Sequence, residues 1–301
     1  MRNSGIIEIQ KKVDFLEQNS PELCTPYGSF PTKGGDGGDD ILWCGLLSSV
    51  GLNRAFSQVC HCQSLEHKLG MYYRNPLRRF NDNEGHEWYF SRDMALGVLL
   101  SYVSHDETFL QSEAELWLKW ISNNRACSIR KPKWLGGGCL VRSPMYRYSP
   151  DDNRSNITPI MWALMGRVWE FKGWPKTSIM ENYKGSDGDI SIGSAQIVPL
   201  GYQLHLLAVQ SYIKWIIGQS RAIRIQVSEI CYERQPSNLF YKILSQEGIQ
   251  DDDIDLFLAQ CPNPDNFIPR DYWLWEKSEQ NSYYSCGWDW IFLGRLILKH
   301  S

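Results

Sequence analysis

The chain places carboxylates where apolar helices should begin. FSRDMALGVLLSYV sets Arg92 and Asp93 ahead of Met94, Leu96, Val98, Leu99 and Val103, and GDGGDDILWCGLL sets Asp39 and Asp40 ahead of a second apolar run. Hydrolysis of a glycosidic bond needs two carboxyl groups across the scissile bond, one protonated as acid and one ionised as base or nucleophile. Arg92 and the positive end of a helix dipole favour the ionised form of Asp93, which makes Asp93 the base and Asp40 or Glu87 the acid. A structural reading competes. Ser91 is a good N-cap, and first-turn carboxylates are stabilised by the dipole alone, so Asp40 and Asp93 would merely start their helices. Arg92 is the residue that this second reading explains least.

Other polar groups fall in similar places. Helix openings further along contribute Gln196, Trp288 and Asp289, and the intervening loops contribute His86, Glu87, Trp88, Tyr146, Arg147, Asp151, Asp152 and Arg154. Carboxylates, arginines and indoles together suit a polar, ring-shaped ligand. Elimination is the alternative chemistry: Arg147 would neutralise a uronate carboxylate while a Tyr or His removes the adjacent proton. The plainer role for Arg147 is an exposed pairing with Asp151 or Asp152. His205, among leucines in GYQLHLLAVQ, reads as a hydrogen-bonded core histidine. Cys60, His61 and Cys62 are adjacent soft ligands, yet no CxxC pair completes a four-ligand set, so the sequence calls for no metal and no cofactor. GGDGGDD lacks the alternating spacing and terminal glutamate of a calcium loop. No GxSxG elbow, P-loop or HExxH is present, and no GxGxxG follows a strand.

Helix-period apolar patterns must position these groups, because strand-like alternation is scarce. Helices are expected at 6–18, 40–60, 91–103, 107–122, 158–172, 194–218, 222–233, 237–245, 252–260 and 283–300, separated by long loops rich in Gly and Pro. The openings DDILWCGLL, SRDMALGVLL, TPIMWALMGRV, AQIVPLGYQLHLL and CGWDWIFLGRLIL each lead into an apolar segment that holds a glycine: Gly45, Gly97, Gly166, Gly201 and Gly294. Glycine is costly inside a helix, so its recurrence implies close approach of neighbouring backbones. Helices apolar nearly all round belong inside, whereas EAELWLKWISNN is amphipathic and belongs outside. The expected fold is therefore all-α, a single domain over 1–301. Inner and outer helices would form an (α/α) toroid whose long loops build a funnel, with a sixth inner helix in the longest gap between glycines. An irregular bundle or an α-solenoid is the competing architecture.

GDGGDDILWCGLL followed by FSRDMALGVLLSYV, within this helical alternation, resembles the α/α-toroid carbohydrate-active enzymes, the six-hairpin glycosidases and related polysaccharide lyases. The resemblance is architectural and rests on no diagnostic motif. It implies catalytic acids on loops and inner-helix ends facing the funnel, with Asp40 and Asp93 as the positional matches.

Bulk properties narrow the partners. The chain has 301 residues, is 43% hydrophobic and 22% charged, and carries a formal net charge of -3, so no overall positive field draws it to nucleic acid or to a membrane surface. The longest apolar tracts carry His, Gln or Lys within a bilayer span, which argues against membrane insertion, and the first residues do not read as a secretory signal. Nine irregularly spaced cysteines in mostly apolar runs read as reduced, buried thiols. Thirteen tryptophans exceed what core filling normally requires, and their rings suit sugar faces. A glycan is thus the expected ligand. The competing partner is another protein: a non-catalytic subunit of a larger assembly, such as a virus particle, would dock through long loops such as RKPKWLGGGCLVRSPMYRYSP.

Overall fold

A computed structural model describes residues 2–32, 40–65, 68–79, 90–144, 157–181, 187–219, 221–246, 248–270 and 285–301. The chain is mostly helical. In order it forms α1 (Arg2–Asn19), α2 (Asp40–Ser49), α3 (Asn53–His61), α4 (Arg92–Ser104), α5 (Phe109–Asn123), α6 (Pro159–Lys172) and α7 (Ser178–Glu181). These are followed by α8 (Asp187–Ile197), α9 (Tyr202–Ile216), α10 (Arg221–Arg234), α11 (Leu239–Ser245), α12 (Asp251–Gln260) and α13 (Trp288–His300). Two antiparallel hairpins interrupt them, β1 (Glu22–Thr25) with β2 (Gly28–Pro31), and β3 (Arg125–Arg130) with β4 (Cys139–Pro144).

Local chemistry explains several helix ends. Thr158 accepts a hydrogen bond from the Met161 amide at 3.4 Å, Pro159 fills the first turn of α6, and Gly173 closes it with φ of 69°. Asn238 caps α11 by accepting from the Phe240 and Tyr241 amides at 3.1 and 3.3 Å. Gln250 and Asp253 form a capping box on α12. Two expected helices are each split in two. The run over 40–60 breaks at Gly51, whose φ is 88°, and the run over 194–218 breaks between Ile197 and Tyr202, where Pro199 cannot supply an amide hydrogen.

Five helices, α2, α4, α6, α9 and α13, run in one direction. Their C-terminal ends meet: Lys299 donates to the Ser49 carbonyl at 2.8 Å, the Ser49 and Tyr212 hydroxyls lie 3.0 Å apart, and Ser48 bonds His105 at 2.8 Å. Lys172 donates to the His105 carbonyl at 2.6 Å. At the opposite end the Tyr202 hydroxyl, in the first turn of α9, donates to Asp93 in the first turn of α4. Buried residues occur almost all round α2, α4 and α13, while α5 buries only Leu110, Ala114, Trp117, Leu118 and Ile121 along one stripe. Helix α1 runs antiparallel to α13, with Arg2 donating to the Ser301 carbonyl at 3.4 Å and the Trp288 indole donating to the Pro21 carbonyl at 2.8 Å.

The glycines divide into three groups. A Cβ on Gly45 would run into the Gly97 backbone, one on Gly97 into the Ile41 carbonyl, and one on Gly294 into Val13, so these three do permit close approach. Gly166 has only ordinary contact with Met180 at 3.7 Å, and Gly201 precedes its helix with φ of 81°. The reading of all the cysteines as thiols needs correction. Cys127 and Cys139 form a disulfide across β3 and β4, because the strand register brings their Cα atoms to 5.5 Å. Of the other seven cysteines, five are buried and Cys24 is exposed. Tryptophan serves chiefly as filler: Trp43, Trp117, Trp162, Trp169, Trp288 and Trp290 are fully buried, and among the described tryptophans only Trp134 is largely exposed.

Candidate functional site

The common direction of α2, α4, α9 and α13 brings the first turns of these helices to one end of the molecule, together with Asp40, Asp93, Tyr202, Trp288 and Asp289. The three carboxylates are held differently. Asp40 opens α2, is fully buried, and accepts from the Thr32 hydroxyl at 3.2 Å, with Thr32 placed by the end of the β1–β2 hairpin. Asp289 is also fully buried. One of its oxygens accepts from Ser285 at 2.5 Å and from the Trp290 amide at 2.8 Å, so it closes the first turn of α13. Asp93 is 6% exposed, and each of its oxygens accepts from a different hydroxyl, Ser91 on one and Tyr202 on the other. Ser91 is the N-cap residue of α4 by backbone position, but its hydroxyl turns to Asp93 rather than to a backbone amide. Arg92 beside it is exposed.

The remaining expected residues fall in several places. Trp288 is buried under the Arg54 guanidinium, which lies 5.1 Å from its ring centre, so this indole presents no open face on that side. Gln196 is exposed in the last turn of α8, not at a helix opening. The residue that opens the neighbouring inner helix is Tyr202, which the sequence reading passed over. Its signal was the Pro199-Leu200-Gly201 break, which starts a new helix at Tyr202. Asp39, His86, Glu87, Trp88, Tyr146, Arg147, Asp151, Asp152 and Arg154 lie outside the described residues.

No protein family, curated protein or solved structure matches the chain. The chemistry of the site therefore rests on its own geometry. Asp93 combines a hydroxyl donor on each carboxylate oxygen with a place in the first turn of α4. Asp40 and Asp289 are fully enclosed.

Two other titratable places are enclosed, His205 one turn into α9 and Glu113 on α5. His205 is buried with its ring stacked on Trp43 at 5.5 Å, and burial pushes its pKa down to about 3, so it is a neutral core histidine at pH 7. Glu113 lies beside Cys60 and the Tyr72–Tyr102 hydroxyl pair, whose oxygens are 3.0 Å apart. Burial pushes the Glu113 carboxyl up to about 7. Cys60 and Cys62 end up on or just after α3, while the His61 ring stacks on Tyr27 at 4.1 Å. Among the described residues, no three His, Cys, Asp or Glu side chains converge as a metal site would require.

Proposed function

We propose that the chain is an (α/α) toroid that binds a glycan at the end where its inner helices begin and cleaves it by carboxylate acid/base chemistry. Helix α11 takes the place of the sixth inner helix. Its Leu239, Phe240, Tyr241, Ile243 and Leu244 are all buried, and Phe240 packs against Tyr212 of α9 and Phe292 of α13, as a helix closing a ring between those two would do. Asp93 is the base. The observation that carries this assignment is its carboxylate at the mouth of α4, the least enclosed of the three, oriented by Tyr202 and Ser91 and flanked by the exposed Arg92. Asp40 holds α2 in place, which passes the acid role to Glu87, six residues ahead of Asp93 in the sequence.

Purified protein incubated with a panel of neutral and uronate-containing polysaccharides tests this reading. New reducing ends without ultraviolet absorbance indicate hydrolysis, whereas absorbance from an unsaturated uronate indicates elimination. Asp93→Asn and Glu87→Gln are each expected to lower kcat by roughly 10²- to 10⁴-fold, the range for loss of a positioned acid or base. Tyr202→Phe is expected to shift the acidic limb of the pH profile, because the variant removes a donor that favours the ionised form of Asp93. A wild type that cleaves no glycan, or an Asp93→Asn variant with full activity, defeats the proposal.

A further inference from the structure

The β3–β4 hairpin is used by none of this chemistry. It leaves the end of α5 and returns at Pro144, whose carbonyl accepts from the Ile157 amide at 3.5 Å just ahead of α6. It is therefore rooted at the end of the molecule where the parallel helices begin. From Arg125 to Pro144 the sequence holds Arg125, Arg130, Lys131, Lys133 and Arg142 and not one Asp or Glu, and all five cations are exposed. Among them stand Ile129, Trp134, Leu135, Leu140 and Val141, each between 40% and 82% exposed, with Trp134 the most exposed, at the tip. The tip is a single 3-10 turn over Lys133–Leu135, followed by Gly136, Gly137 and Gly138 at φ of 85°, 62° and 92°. The Cys127–Cys139 disulfide ties the strands below it.

Such a ribbon has no interior in which to bury its apolar side chains. The irregular register leaves Leu140 unpaired beside Val141, and both are exposed. Indole and aliphatic groups among exposed cations match the boundary between anionic headgroups and acyl chains. We infer that the β3–β4 hairpin docks this protein on an anionic bilayer surface, with Trp134 and the aliphatic side chains in the interfacial layer and the five cations on the lipid anions. The contact is peripheral: among the described residues no helix is long and apolar enough to cross a membrane. It is independent of the glycan reading, since it uses none of the same residues.

Co-sedimentation with phosphatidylcholine vesicles, with and without about one-third phosphatidylserine, tests it. The wild type is expected to pellet with the anionic vesicles and not with the neutral ones, and to be released as salt is raised. K131E/K133E is expected to weaken binding by about tenfold or more, since each basic residue near the surface adds to the attraction. Trp134→Ala is expected to weaken it by about tenfold and to remove the quenching of tryptophan emission by brominated lipid. Lys11→Glu, a charge reversal on an exposed lysine of α1, is expected to bind as the wild type does. Far-ultraviolet circular dichroism confirms that each variant keeps its helices. Absence of pelleting, equal pelleting with neutral vesicles, or unchanged binding by the hairpin variants overturns the inference. So does hairpin-dependent binding to a DNA oligonucleotide or an acidic polypeptide without vesicle binding.

Discussion

At the scale of single residues, the difference between Asp93 and its two counterparts lies in what holds their oxygens. Asp289 receives a backbone amide and a serine from its own helix start, and Asp40 receives a threonine from the hairpin behind it. Asp93 receives a tyrosine from another helix, which couples its charge to the packing of α4 and α9. The presence of these carboxylates at helix openings was legible in the sequence; their inequality was not, because burial and hydroxyl partners come from remote segments. Glu113 shows the same limit, since a glutamate on an amphipathic helix gave no sign that it would be enclosed. Its pKa, raised from 4.5 to about 7, sets a pH dependence of stability. Below about pH 4.5 the group is protonated both folded and unfolded. Between about 4.5 and 7 the unfolded chain ionises first, so stability falls as pH rises through that window, by at most about 3 kcal/mol. His205 tilts the curve the other way. Its folded pKa is depressed, so stability falls as pH drops below about 6.5 and the unfolded chain alone gains the proton. Glu113→Gln should remove only the first slope. Urea titrations of variant and wild type at about pH 4 and about pH 8 measure it, and identical differences between the two proteins at both values would refute the assignment.

At the scale of elements, periodicity revealed most helices, missed α7 and residues 187–193 of α8, and misjudged the joints. Gly51 and Pro199 each divide a long apolar pattern, yet such residues are tolerated within helices often enough that the pattern alone reads as continuous. The β3–β4 hairpin was missed for a different reason. Its strands bury little, so their side chains lack the alternation that marks a half-buried strand, and pairing plus the disulfide hold them instead. Overall charge concealed it too, because a net value of -3 averages over a segment with five cations and no acid. The glycine pattern found real contacts between helices but could not say which ones were tight. The structure orders them. In Gly97→Ala the new methyl meets the Ile41 carbonyl and the Leu42 Cα, backbone atoms that cannot swing aside. Alanine gains about 1 kcal/mol in helix propensity, but forcing α2 and α4 apart costs more, so a net loss of about 2 kcal/mol is expected. Gly166→Ala meets only Met180 at 3.7 Å and should be neutral, or stabilising by up to about 1 kcal/mol. Denaturant midpoints of the two variants provide the comparison; equal effects would mean that the α2–α4 contact is not the tight one.

At the scale of the whole molecule, the alternation of apolar and amphipathic helices was visible in the sequence, but the way the first helix closes onto the last was not. Helix α1 buries Ile9, Val13 and Leu16 completely, and Val13 and Ile9 lie over Gly294 of α13. Arg295 pairs with Glu17 at 2.6 Å, and Arg2 reaches both Ser301 and Asp251. Residues far apart in the chain thus form one seam between α1, α12 and α13. Three large apolar side chains at about 1.5–3 kcal/mol each amount to roughly 5–9 kcal/mol, comparable with the total stability of an ordinary domain. Deletion of residues 1–19 should therefore leave a chain without a cooperative thermal transition, exposing the apolar groove between α12 and α13. The same geometry makes the order of the helices dispensable, because Arg2 and Ser301 already lie side by side. A circular permutant that joins the two ends by a short Gly-Ser linker and opens between Gly136 and Gly137, in the exposed turn of the β3–β4 hairpin, should keep the helical circular dichroism and a thermal midpoint close to the wild type. The two constructions separate closure from mere attachment. A deletion that melts as the wild type does would make α1 an appendage. A permutant that fails to fold while the linear chain succeeds would show that the hairpin turn, and not the seam, must remain continuous.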